Sequence, residues 1–104
     1  MAAMQLHELA SLIRSKNAGP FVLTFDILFP DEESYLRVRD SGRLTAEEFA
    51  RRYKISHNEV RFFACDNARA FKISIPRPRP SGDLADADLH GGQQAAALYD
   101  IEIP

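Results

Sequence analysis

The chain has 104 residues, the size of one ordinary domain, and at 45% hydrophobic it can bury a core without disulfides or metal. Its 13 Lys and Arg against 15 Asp and Glu leave a formal net charge of −2, which gives no long-range field for nucleic acid or an anionic membrane. A lone Cys65 excludes an internal disulfide and a multi-cysteine metal site.

Residues 4–15 read as a short amphipathic helix, with Leu6, Leu9 and Ile13 on one stripe. Asn17-Ala18-Gly19-Pro20 is expected to stop it, because Gly19 can take a positive φ and Pro20 cannot extend a helix. Before this point, MAAMQLHELASLIRSK lacks a basic start followed by an unbroken apolar run. No stretch reaches the roughly 20 apolar residues that cross a bilayer. A cytoplasmic chain without a membrane role is the expectation.

Phe21–Phe29 is the clearest strand. Phe21, Leu23, Phe25, Ile27 and Phe29 alternate on one face, and the other face is mixed, which predicts a central position. Pro30-Asp31 opens a helix with Asp31 as N-cap, and Gly42 ends it. Thr45-Ala46-Glu47-Glu48 reads as a capping box for a further helix with Phe49, Ala50 and Tyr53 on its apolar stripe.

Val60–Cys65 and Ala70–Ile75 predict a hairpin turning at Asp66-Asn67. Cys65, beside Phe62 and Phe63, is expected to be a buried thiol acting as a small hydrophobe. The run from Pro76 to Gly82 is expected to leave the sheet as polyproline II, since its prolines cannot donate ladder bonds. Residues 83–92 read as loop and 93–97 as one helical turn. Tyr99, Ile101 and Ile103 alternate as a final strand. The order predicts an α+β, ferredoxin-like fold: a four-stranded, mostly antiparallel sheet carrying two to three helices, with 83–97 as a weak second crossover.

Arg14-Ser15-Lys16-Asn17, closed by Gly19, gathers two cations, a hydroxyl, an amide and a turn. It suits either a carboxylate or phosphate ligand or an ordinary helix C-terminus. Arg77 and Arg79 sit between prolines that hold them at low entropic cost, either for an anion or partner or as a solvated exit loop. Asp26 in mid-strand needs a partner, Lys72 or an arginine, unless it points into a site. Gln93 and Gln94 follow Gly91-Gly92 and can read a polar ligand. His7, His57 and His90 show no zinc spacing, so no metal or cofactor is implied. Leu44–Ala50 resembles the opening of a helix-turn-helix DNA reader. The chain then runs into Val60–Ala64, which fits a strand better than a recognition helix.

Three stretches, IRSKNAGPFVLTFDILF (13–29), AFKISIPRPRPSG (70–82) and GGQQAAALYDIEIP (91–104), carry a resemblance over essentially the whole chain. They resemble a bacterial and fungal family of small uncharacterised domains, similar in turn to the ferredoxin-fold domain of acyclic-terpene-utilisation (AtuA-like) proteins. The resemblance implies a ferredoxin-like sheet and a separately encoded AtuA-like large subunit as partner, in organic-acid or acyl-CoA metabolism. An accessory subunit of this kind would help bind a small anionic metabolite. Arg14, Lys16, Arg77 and Arg79 would hold the anion, with Ser15, Asn17, Gln93 and Gln94 orienting it. A homo-oligomeric enzyme acting on a carboxylate, or an interaction module without chemistry, are the competing expectations.

Overall fold

The computed structural model describes residues 3–19, 21–76 and 98–104. In chain order the elements are β1 (Met4–Gln5), α1 (Leu6–Leu9), β2 (Leu12–Asn17), β3 (Val22–Leu28), α2 (Glu32–Ser41) and α3 (Ala46–Tyr53). A 3-10 turn at His57–Glu59 leads to β4 (Arg61–Cys65), β5 (Ala70–Pro76) and β6 (Glu102–Ile103). Strands β2, β3, β5 and β4, in that spatial order, form one four-stranded sheet, antiparallel throughout. The protein is α+β, with helices packed on this sheet, consistent with the ferredoxin-like arrangement. Its connections run hairpin, helix pair, hairpin.

The alternation of Leu23, Phe25 and Ile27 does what the sequence predicts. These side chains are buried, and β3 lies centrally between β2 and β5. The Phe25 ring meets Phe49 and Tyr53 of α3, and Tyr35 of α2 meets Phe71 of β5. Both longer helices therefore cover the same sheet face. Asp31 caps α2 by accepting from the Ser34 amide at 2.8 Å, and that bond holds its carboxyl below the usual range. Gly42 closes α2 with φ of 73°. Thr45 caps α3 through the Glu48 amide at 3.1 Å, while the Glu48 carboxylate pairs with Arg51 and Arg52.

The N-terminal reading is corrected. The helix spans Leu6–Leu9, and from Leu12 the chain is strand. Residues Ile13 to Lys16 fit either period, because a short run cannot separate 3.6 from 2. Pairing decides the matter: six residues of β2 find partners on β3, from Leu12 opposite Leu28 to Asn17 opposite Leu23. One further turn of helix would offer less, since short helices are marginal without packing. Asn17–Gly19 accordingly belongs to a hairpin, not a helix stop. Ala18 N–H donates to the Val22 carbonyl at 2.9 Å, and Gly19 takes φ of 99°.

Other expectations also shift. The fourth strand of the sheet is β2. The C-terminal strand β6 pairs instead with β1 in a separate antiparallel ladder. Pro76 does not leave the sheet; it ends β5 opposite Val22. Cys65 is half-buried rather than buried. The polyproline segment after Pro76, the loop 83–92 and the possible crossover turn at 93–97 lie outside the described residues. Among the described residues, no helix is long and apolar enough to cross a membrane.

A side-chain lock joins α2 to the β4–β5 turn. The buried Tyr35 hydroxyl donates to the Asp66 carboxylate, and Arg39 reaches the same oxygen at 3.3 Å. Burial first, and then the bond to Asp66, push the Tyr35 phenol up to about 12. A pKa raised above the unfolded value of about 10 gives stability that is complete below pH 10 and lost as pH climbs toward 12. The Asp66 carboxyl is lowered by the Tyr35 bond, so its contribution is present above the ordinary carboxylate range and fades in acid. Tyr35→Phe is therefore expected to flatten both limbs of a urea-midpoint profile against pH. If the wild-type and Tyr35→Phe profiles run parallel at both ends, the lock contributes nothing.

Candidate functional site

Alternation along the sheet divides the residues into two faces. The helix-covered face carries the rows Ser15–Phe25–Ile73–Phe62 and Ile13–Ile27–Phe71–Ala64. Among the described residues, no helix covers the other face. It carries Lys16–Thr24–Ser74–Arg61 in one row and Arg14–Asp26–Lys72–Phe63 in the next. A third row is Leu12–Leu28–Ala70–Cys65. Strand spacing of about 4.8 Å puts Lys16 and Arg61 roughly 14 Å apart across the sheet at backbone level.

Charge on the open face is one-sided. The cations Arg14, Lys16, Arg61 and Lys72 stand against Asp26. Arg14 Nε donates to Asp26 Oδ2 at 3.1 Å, so the mid-strand acid has found an arginine as its partner. Lys72 is the register partner of Asp26 on the other side, but the ion pair goes to Arg14. Among the described residues, Lys16, Arg61 and Lys72 enter no ion pair within 4.0 Å. Thr24 is only 7% exposed, which places a hydroxyl under the flanking side chains between Lys16 and Ser74. Apolar side chains lie in the same field: Leu12 and Val22 are exposed, and Phe63 is 57% exposed.

At one end of this face a groove of about 500 Å³ opens beside Arg61 and Ser74. Val22, Ile75 and Pro76 make its apolar side, and Asn58 and Glu59 its rim from the 3-10 turn. A smaller hollow of about 290 Å³ lies beside His7 and Tyr99, at the far side of β2. The groove falls in the range of small-ligand sites.

The constellation read from the sequence is thus divided. Arg14 and Lys16 share the open face. Ser15 and Asn17 face the other way, where Ser15 is buried, so these four residues cannot converge on one ligand. Gly19 serves the hairpin turn. Arg77, Arg79, Gln93 and Gln94 lie outside the described residues. Sequence reasoning missed Thr24, Arg61, Lys72 and Ser74 as members of one surface. Alternation within each strand assigned them to faces, but nothing local told which residue would stand opposite which.

No curated protein and no solved structure matches the chain. A family model described as "Domain of unknown function (DUF4387)" matches residues 6–102, nearly the full length and all of the sheet just described. The chain belongs to the DUF4387 family.

Proposed function

We propose that the protein is an accessory subunit or domain that docks on a larger AtuA-like partner and contributes an anion-binding surface for a carboxylate metabolite. One observation carries the reading. The open sheet face combines exposed Leu12, Val22 and Phe63 with Arg14, Lys16, Arg61 and Lys72 against a single acid, Asp26. Exposed apolar groups favour burial under a partner, and the excess of cations favours an acidic partner face or a bound anion. The AtuA-like identity of the partner, and the setting in organic-acid or acyl-CoA metabolism, rest on the resemblance of residues 13–29, 70–82 and 91–104.

The test is co-expression with the AtuA-like large subunit of the same host, followed by size-exclusion chromatography. Co-elution is expected. Phe63→Glu puts a negative charge in place of the largest exposed apolar side chain of the face, on its edge strand β4, and is expected to weaken the complex at least thirtyfold, about 2 kcal/mol, the loss typical of an interface hot-spot aromatic. Glu32→Lys, in the first turn of α2, leaves the complex unchanged. Elution of the chain as a discrete homo-oligomer that ignores the large subunit sinks the docking reading and favours a self-contained enzyme.

A further inference from the structure

The geometry points to a specific subsite within this face: Arg61 and Ser74, which line the 500 Å³ groove, with Lys72 next along the same face, bind the carboxylate of a small organic acid whose apolar body lies on Val22 and Pro76. The inference deepens the accessory-site reading and rests on it. It moves the anion site from the Arg14–Asn17 segment on the β2 edge, where it was expected, to the β4–β5 edge of the same face.

Ser74 is the hinge of the argument. It lies directly between Thr24 on β3 and Arg61 on β4, so its hydroxyl and the Arg61 guanidinium come from adjacent strands of one row. Lys72 is two residues from Ser74 on the same strand and the same face. A carboxylate above Ser74 would thus meet a hydroxyl donor, a fork of guanidinium N–H groups and an ammonium. Arg14 is the weaker candidate, because its Nε is already committed to Asp26 at 3.1 Å.

The groove contains one acid, Glu59, which would repel an anion if it faced the same space unengaged. Its carboxylate is turned to the Ser56 amide, accepting at 3.2 Å as part of the capping box of the 3-10 turn, and the charge it keeps is opposed by the Arg61 guanidinium on the same groove. Glu59 forms no ion pair with Arg61, and among the described residues no other acid does, which leaves the guanidinium donors for a ligand. The apolar side of the groove then selects for a ligand with a hydrocarbon body. A bare inorganic anion would leave Val22 and Pro76 uncovered.

The experiment uses the ¹⁵N-labelled chain and three probes: butanoate, the neutral isostere butanamide, and inorganic phosphate. Butanoate is expected to bind at millimolar strength and to shift the amides of Val22, Arg61, Ser74 and Ile75. Butanamide is expected to bind at least tenfold more weakly, since it gives up the charge-assisted bonds. Phosphate is expected to shift Arg61 and Ser74 but to leave Val22 unmoved. Arg61→Gln weakens butanoate about tenfold or more, whereas Arg43→Gln, away from the groove, changes nothing. Equal binding of butanamide, phosphate binding as tight as butanoate, or shifts confined to Arg14 and Lys16 would each overturn the assignment. These titrations need no large subunit. A failed subsite and a failed docking reading therefore give different results: loss of butanoate binding with the complex intact, or loss of the complex with butanoate binding intact.

Discussion

Phe71→Ala is expected to destabilise the protein by about 3–5 kcal/mol, the range for truncating a buried phenylalanine. Phe71 is 1% exposed and lies on β5, the second central strand. Its ring meets Phe29 edge-on at 5.8 Å, Tyr35 at 5.1 Å and Phe62 at 5.6 Å. It is thus the side chain on which β3, β4, β5 and α2 converge. A cavity there cannot collapse easily, because three of its walls are themselves rings fixed by other contacts. Against a total stability of about 5–15 kcal/mol for a domain, this is a large fraction, and the melting temperature should fall by about 15 °C or more. Phe63→Ala is the internal control. Phe63 is beside Ala64, the register partner of Phe71, but it faces the open side of the sheet and is 57% exposed. It should change stability by no more than about 0.5 kcal/mol. Urea titrations followed by circular dichroism decide the matter. Comparable losses for the two variants would mean that the faces of the sheet have been assigned the wrong way round.

The same contrast shows which features a sequence can disclose. The caps at Asp31 and Thr45, the stop at Gly42 and the alternation of Leu23, Phe25 and Ile27 are written in a few neighbouring residues, and the structure has them where expected. The β4–β5 hairpin is equally local: its turn at Asp66 needs Arg69 in the left-handed region at φ of 50°, and its strands pair from Cys65 and Ala70 outward. Ile13 to Lys16 are different. Their spacing serves a helix and a strand alike, and the decision is taken by the neighbouring strand β3, which is reached through a turn. Once those residues are strand, Arg14 and Lys16 part company with Ser15 and Asn17, and a ligand site that looked contiguous in sequence becomes two opposite faces. The row Lys16–Thr24–Ser74–Arg61 has the opposite character. Its members come from four separate strands, so only the register of all three ladders assembles it. Binding surfaces built this way are invisible to a local reading, whereas the core that supports them is not.

The C-terminal residues tie the N-terminal segment to the core, and Ile103→Ala tests how strongly. A ladder of two residues per strand, Met4 with Ile103 and Gln5 with Glu102, is far too short to hold by its hydrogen bonds. What fixes it is burial: Leu6, Leu98 and Ile103 are 0% exposed, and Leu9 and Ile101 are nearly so. Around this apolar knot, Leu6 N–H donates to the Ile101 carbonyl at 2.8 Å and His7 N–H to the Tyr99 carbonyl at 3.2 Å. Arg37 Nε reaches the Pro104 carbonyl at 3.1 Å, and Arg52 pairs with Asp100 at 2.9 Å, so α2 and α3 both hold the same segment. Ile103→Ala is expected to cost about 2–5 kcal/mol, with hydrogen exchange at the Leu6 and His7 amides accelerating beyond the global change. Glu102→Ala, one residue away and exposed, should cost no more than about 0.5 kcal/mol, because successive strand residues face opposite ways. The arginine contacts alone cannot produce that difference between neighbours, since exposed ion pairs contribute about 0–1 kcal/mol and neither variant touches them. If Ile103→Ala and Glu102→Ala behave alike, or if the Leu6 amide keeps its protection, polar contacts rather than burial hold the two ends of the chain together.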